Sequence, residues 1–393
     1  MHIKKTSLSL LVAIAISLIS TGCEKSDESN NKDISITGNF NNTVDTTVQK
    51  ASTFNTKNIA KVVVITPSLS DVFDVKNGGF EIEVSSDEPC VLIFTDSTGV
   101  KKGHLTLENG LDSLPLTLIK DGKSKIELGN LKTDSSNFTP TQNLIQNGTF
   151  KITVEQKNIL SKMDDFLAAM ITNSDMNKNN IVDAVEGTDI IAIYPMYQFN
   201  SGKINTDWTL DNSHLLSGHI LQILRIVVNM NKVPNNEITL TTPDSTTMVS
   251  TFYQQNNHDQ SFDFFDVNIT GGDYTFIIDD KTYFYTLPDQ SNYKSNFYIP
   301  DITLIKSGTT ITKASWKFKD YQGVDITDSI SLLIKDSRLG NDREEGSMAP
   351  TAEMPTEASG SINTTKIRDS LNFGYKNIYG THFQAGYQYN SNN

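Results

Sequence analysis

Residues 153–186 read TVEQKNILSKMDDFLAAMITNSDMNKNNIVDAVE, and this stretch sets the plan of the chain. Ile159, Leu160, Met163, Phe166, Leu167, Met170 and Ile171 recur at helical spacing. They predict one amphipathic helix whose apolar stripe needs a partner surface. Thr153 and Gln156 fit a capping box that would start it. The stripe ends near Thr172, and oxygen-bearing side chains then take over. Asp175, Asn177, Asn179, Asp183 and Glu186 fall at positions 1, 3, 5, 9 and 12 of a 12-residue window. Ile181, at position 7, needs to offer only its carbonyl, and Val182, at position 8, is an apolar residue that would pin the loop to a core. Three carboxylates, two amides and a carbonyl suit a hard cation that takes six to eight oxygens at about 2.3–2.6 Å.

The spacing resembles the calcium loop of an EF-hand. It is most similar to the EF-hand-like loops of bacterial extracellular proteins, including the calcium repeats of dockerins. The resemblance implies that Asp175, Asn177, Asn179 and Glu186 bind calcium through side-chain oxygens, Ile181 through its carbonyl, and Asp183 directly or through water. Position 6 departs from the pattern, with Asn180 in place of glycine. Asparagine is the next residue most able to adopt a left-handed backbone, so the sharp turn stays feasible. Gly187 stands where an exiting helix usually begins, and Pro195 follows soon after, so that helix is expected to be brief. Asp and Asn at alternate positions also occur in metal-free turns. Turn chemistry alone does not require the apolar position 8 or the terminal glutamate. A loop without a partner hand has little rigidity, which points to the weak extracellular range of about 10⁻⁴–10⁻³ M and a structural ion.

On both sides of this stretch the text is β. KVVVIT, FEIEV, CVLIFT, HLTL, LTLI and KIEL follow from Lys61, separated by turns such as Asn77-Gly78-Gly79 and Ser97-Thr98-Gly99. Glu81 and Glu83 alternate with Phe80, Ile82 and Val84, so that strand should have one wet face. Cys90 sits among apolar residues and reads as a buried small hydrophobe. Beyond residue 204 come HILQILRIVVNM, EITLTT, FDFFDVNIT, DYTFIID, TYFYTL and ITKASWKFKD. Asp279-Asp280 reads as a tight hairpin there, and Trp316 with Phe318 supplies core aromatics. The expected fold is mainly β: two antiparallel β-sandwich, immunoglobulin-like domains at 59–138 and 204–338. They are joined at 139–203 by the helix and the EF-hand-like loop.

The first residues, MHIKKTSLSLLVAIAISLISTGC, have two lysines, a short apolar run and small residues before a cysteine. Residues 1–22 read as a secretory signal, and Ser20-Thr21-Gly22-Cys23 resembles the lipobox of bacterial lipoproteins. The resemblance implies that Cys23 is acylated and anchors the chain to a lipid bilayer. Ser20 departs from the usual leucine. Glu24, rather than aspartate, follows Cys23 and favours the outer membrane of the cell envelope. Residues 23–58 are polar and read as a disordered tether, and 339–366 as a disordered linker. Residues 367–393 alternate aromatic and polar side chains and read as a tail or a docking strand.

The net charge of −13 becomes two units more negative once Lys4 and Lys5 leave with the signal. That balance argues against nucleic acid as a partner. His214 and His219 lie five apart with no zinc spacing, and no nucleophile elbow or phosphate loop occurs. The reading is therefore a non-enzymatic, calcium-binding lipoprotein of the cell envelope, with calcium in a structural role. It would bind or adhere through a glycan or protein ligand at the surface. The alternative is a polysaccharide-acting enzyme or an accessory lipoprotein. An exposed cleft with two close carboxylates beside an aromatic strip would mark it.

Overall fold

Alternating apolar and polar residues fold into β units on either side of one long helix among the described residues of the computed structural model. It describes residues 34–40, 58–67, 70–84, 89–107, 125–134, 136–141, 154–187, 190–205, 210–211, 220–229, 237–255, 259–289, 298–320, 322–327, 334–341, 347–348, 357–363, 370–377 and 379–389. Cys23, the 1–22 segment, Thr153, His214 and His219 lie outside these residues. No helix among the described residues is long and apolar enough to cross a membrane.

The first unit comprises β1 (Ile34–Asn39), β2 (Lys61–Ile65), β3 (Ser70–Asp74), β4 (Gly79–Val84), β5 (Val91–Thr95), β6 (Lys101–Leu105), β7 (Lys125–Asp134) and β8 (Asn137–Pro140). They form one eight-stranded sheet in the order β3-β2-β5-β6-β8-β7-β1-β4. The two ends of this path, β3 and β4, are consecutive in the chain. They are joined by a turn in which Asn77 and Gly78 take φ of 53° and 75°. The sheet therefore curls back on itself as a near-barrel around one core that includes Ile36, Val62, Ile82, Leu92, Phe94, Ile126 and Phe138. Glu81 and Glu83 face outward on β4, where Ser35 Oγ donates to Glu81 at 3.1 Å.

Pairing departs from the expected antiparallel sandwich at two places, since β1 runs parallel to β7 and β6 parallel to β8. The tether expected over 23–58 also gives way at β1. Ile34 and Ile36 alternate with polar neighbours, and the strand inserts between β4 and β7 with both isoleucines fully buried. Two buried isoleucines and two flanking ladders outweigh the polarity of the surrounding text.

The helix α1 (Val154–Thr172) continues through a 3₁₀ turn at Asn173–Asp175, and a four-residue helix α2 (Asp183–Glu186) follows the loop. The second unit holds β9 (Ile190–Ile204), β10 (Leu210–Asp211), β11 (Ile220–Asn229), β12 (Glu237–Thr241), β13 (Thr247–Gln255), β14 (Asp259–Phe265), β15 (Gly272–Ile278), β16 (Lys281–Leu287), β17 (Ile299–Ser307), β18 (Thr310–Lys319), β19 (Ile334–Asn341), β20 (Ser347–Met348), β21 (Glu357–Asn363), β22 (Ser370–Asn377) and β23 (His382–Tyr389). A 12-stranded sheet runs β16-β15-β12-β13-β14-β11-β9-β23-β22-β19-β20, with β10 on β9, and curls as a half-barrel. The three-stranded sheet β17-β18-β21 packs over it and shares its core. Trp316 meets Phe373 edge-on at 5.1 Å, and Phe318 meets Tyr375 at 5.3 Å.

The linker expectation is corrected, and of the two readings of 367–393 the docked strand is the one observed. β22 and β23 lie inside the large sheet, with β23 parallel to β9, and β21 pairs with β18 within the span expected to be a linker. Phe373, Tyr375, Phe383 and Tyr387 drive this, because their alternation puts all four rings in the core.

Candidate metal site

The loop begins where α1 ends. Lys178 and Asn180 take φ of 57° and 69°, the left-handed values that fold the chain back on itself. Asparagine at position 6 therefore does what glycine would do there. Side chains then stitch the turn. Asp175 accepts the Asn179 N–H at 3.0 Å with one oxygen and the Asn180 N–H at 2.9 Å with the other. Asn177 Oδ1 accepts the Asn179 N–H at 3.0 Å, and Asn179 Oδ1 accepts the Ile181 N–H at 2.8 Å. Gly187 ends α2 in a left-handed conformation, its N–H donating to the Asp183 carbonyl.

This short helix turns Glu186 back over the loop. Its Oε1 accepts from Asn179 Nδ2 at 2.8 Å and its Oε2 from Asn177 Nδ2 at 2.7 Å. Asp183 Oδ2 accepts the Met176 N–H at 2.8 Å. Asp183 Oδ1 is buried with no hydrogen-bond partner, in a residue only 5% exposed. Such an oxygen is costly to leave unmatched. Burial pushes the Asp183 carboxyl up to about 7, and the Asp175 and Glu186 carboxylates add to the rise against the pull of the Met176 N–H. Burial also holds the Lys101 amine below its ordinary value, although Asp175 acts in the opposite sense.

The structure thus brings Asp175, Asn177, Asn179, Asp183 and Glu186 around one short loop, with Ile181 in an isolated β-bridge at its far side. Among the described residues no three His, Cys, Asp or Glu side chains form a metal-binding group by themselves. The loop instead alternates carboxylates with amides. An orphaned buried Asp183 oxygen close to the Asp175 and Glu186 charges is what a hard divalent cation would relieve. Asp175, Asn177, Asn179, Asp183, Glu186 and the Ile181 carbonyl would hold it, and it would supply the missing counter-charge.

Neighbours of the loop were not legible in the sequence. Ile181 forms an antiparallel bridge with Val100, and Val182 N–H donates to the Gly99 carbonyl at 3.0 Å. Val182 is fully buried against Val63 and Ile93. The turn between β5 and β6 thus lies directly against the loop. On the other side, Asn173 exchanges two hydrogen bonds with the Thr286 backbone at 2.9 and 2.7 Å. Phe284 N–H donates to the Met176 carbonyl at 2.8 Å, and Lys178 Nζ stands 3.9 Å from the centre of the Phe284 ring. Asp320 and Asp325 accept local backbone N–H groups in an exposed turn.

No family model and no characterised protein sequence matches the chain. Among solved structures, a pullulanase from Anoxybacillus sp. LM18-11 complexed with maltotriose is similar at 10% identity and a TM-score of 0.15, over 48% of this chain and 25% of its own. A structure concerning host cell surface retention of a 1.5-MDa bacterial ice-binding adhesin is similar at 9% identity and a TM-score of 0.17, over 84% of each chain. A type I pullulanase from Bacillus subtilis str. 168 complexed with maltose is similar at 8% identity and a TM-score of 0.15, over 47% of this chain and 23% of its own. The chain spans about a quarter of the length of the pullulanases it matches.

Proposed function

We propose that this chain is a lipid-anchored, extracytoplasmic calcium-binding protein of the bacterial cell envelope. Its role is non-enzymatic binding or adhesion, with calcium as a structural ion. The observation that carries the reading is the loop itself, where Glu186 folds over Asn177 and Asn179 while a buried Asp183 oxygen lacks a partner. In this reading two sandwich-like β bodies are joined by α1 and an EF-hand-like loop. Calcium stiffens the clip between them, because the loop touches both. The anchor rests on the sequence through Cys23, placing the chain on an outer-membrane surface where a glycan or protein would be its ligand.

Thermal unfolding of the 24–393 chain tests the ion. With a dissociation constant in the weak extracellular range, calcium at about 10 mM stabilises by about 1.4–2.7 kcal/mol relative to chelator. For a chain of this size that is about 2–4 °C in Tm. Glu186→Gln is expected to lose most of the shift, and equal melts in all conditions would remove calcium from the account. The anchor has its own test. In a bacterial host, Cys23→Ser is expected to move the protein from the detergent phase to the aqueous phase, and an unchanged partition would rule out acylation there.

A further inference from the structure

The turn between β5 and β6 is built as carefully as the loop it meets. Asp96 Oδ1 accepts the Thr98 N–H at 2.9 Å, the Val100 N–H at 3.1 Å and the Thr98 hydroxyl at 2.6 Å. Its other oxygen pairs with Lys102 Nζ at 2.8 Å. These contacts fix Gly99 at a φ of 90°, a conformation few side-chain-bearing residues adopt. A Cβ added at Gly99 would lie 2.9 Å from Ile181 Cγ2 and 2.9 Å from Val185 Cγ1. Gly99 is therefore the point where the first β unit presses its backbone against the loop, between the residue offering the position-7 carbonyl and α2, the helix that carries Glu186.

Resting on the calcium reading above, we propose that Gly99 is a positioning residue for the ion. The β5–β6 turn acts as the loop's partner strand, so the first β unit sets calcium affinity although it supplies no ligand. The Ile181–Val100 bridge holds the Ile181 backbone, and the Val182 N–H to Gly99 bond holds position 8. Contact of Gly99 with Val185 sets where α2 lies, and with it Glu186. Coupling of this kind is reciprocal, so calcium must also steady the turn.

Calcium titration by calorimetry on the 24–393 chain reads the first direction. Gly99→Val is expected to weaken binding about tenfold or more, within the usual span of coupling between sites. Gly323→Ala is the control. It also carries a left-handed glycine, at φ 85°, with nothing near its Cβ, and should bind as the parent does. Hydrogen exchange of the unaltered protein reads the other direction without depending on how any variant folds. Calcium is expected to slow exchange at Gly99, Val100 and Val182, and to leave the turn at Thr242–Thr246 unchanged. Equal affinity in Gly99→Val and parent, or no calcium effect on the Gly99 and Val100 amides while the parent binds calcium, would overturn the positioning role alone. A parent that binds no calcium would overturn the underlying reading and this inference with it.

Discussion

Replacing Arg225 with methionine is expected to cost about 3–5 kcal/mol of folding stability, the usual effect of leaving one member of a buried ion pair unpaired. Arg225 on β11 stands directly opposite Asp263 on β14. Its Nε and Nη2 donate to the two Asp263 oxygens at 2.6 and 2.7 Å. The side chains are 3% and 0% exposed. Burial works against the Arg225 charge, but Asp263 and the Tyr194 hydroxyl outweigh it and hold the guanidinium above its ordinary range. Removing the arginine strands a carboxylate where water cannot reach it. Replacing both residues, as Arg225→Met with Asp263→Leu, should restore stability to within about 1 kcal/mol of the parent or exceed it. Urea midpoints decide the matter. A single variant as stable as the parent, or a double variant as damaged as the single, would show that the pair does not behave as a buried unit.

Protein kept in chelator should lose stability as pH rises from about 4 to about 7, on account of Asp183. The folded carboxyl is raised from 3.8 to about 7. Across that window the native chain holds a proton that the unfolded chain has released. Stability is therefore fully present below the unfolded pKa and is lost as pH climbs through the folded one. At 1.36 kcal/mol per pH unit the contribution is on the order of a few kcal/mol. Asp183→Asn keeps the acceptor for the Met176 N–H and cannot ionise, so it should flatten the profile and gain stability at high pH. Urea unfolding of both chains at about pH 5 and about pH 8 reads the difference. Parallel profiles would mean that Asp183 is not held protonated in the metal-free loop.

Much of the β character was legible because it is local. Alternation placed Phe80, Ile82 and Val84 inward and Glu81 and Glu83 outward on β4. Asp279 and Asp280 make the hairpin between β15 and β16, with φ of 50° and 63°. The same alternation could not say whether a polar face is wet. Asp263 reads like Glu83 in the text yet is 4% exposed, because Arg225 comes from a strand some 38 positions earlier. VLIFT in β5 is buried at every position, and its reason is tertiary. Leu92 and Phe94 face the near-barrel, Val91 lies under α1, and Ile93 lies under Val182. A continuous apolar run announces cover on both sides but not what provides it. The loop residues were legible because their spacing is a local code. Gly99 was visible only as a turn glycine, since nothing local announces the chain segment that comes to rest against it.

The position of β23 has a consequence for how the molecule is made. This strand pairs on one side with β22 and on the other, in parallel, with β9, which precedes it by more than 180 positions in the sequence. Until β23 is in place, one edge of β9 keeps an unsatisfied ladder, an invitation to any other extended chain. Closing so distant a seam is slow, so an unfolded copy needs shelter from its siblings until the β22–β23 hairpin docks.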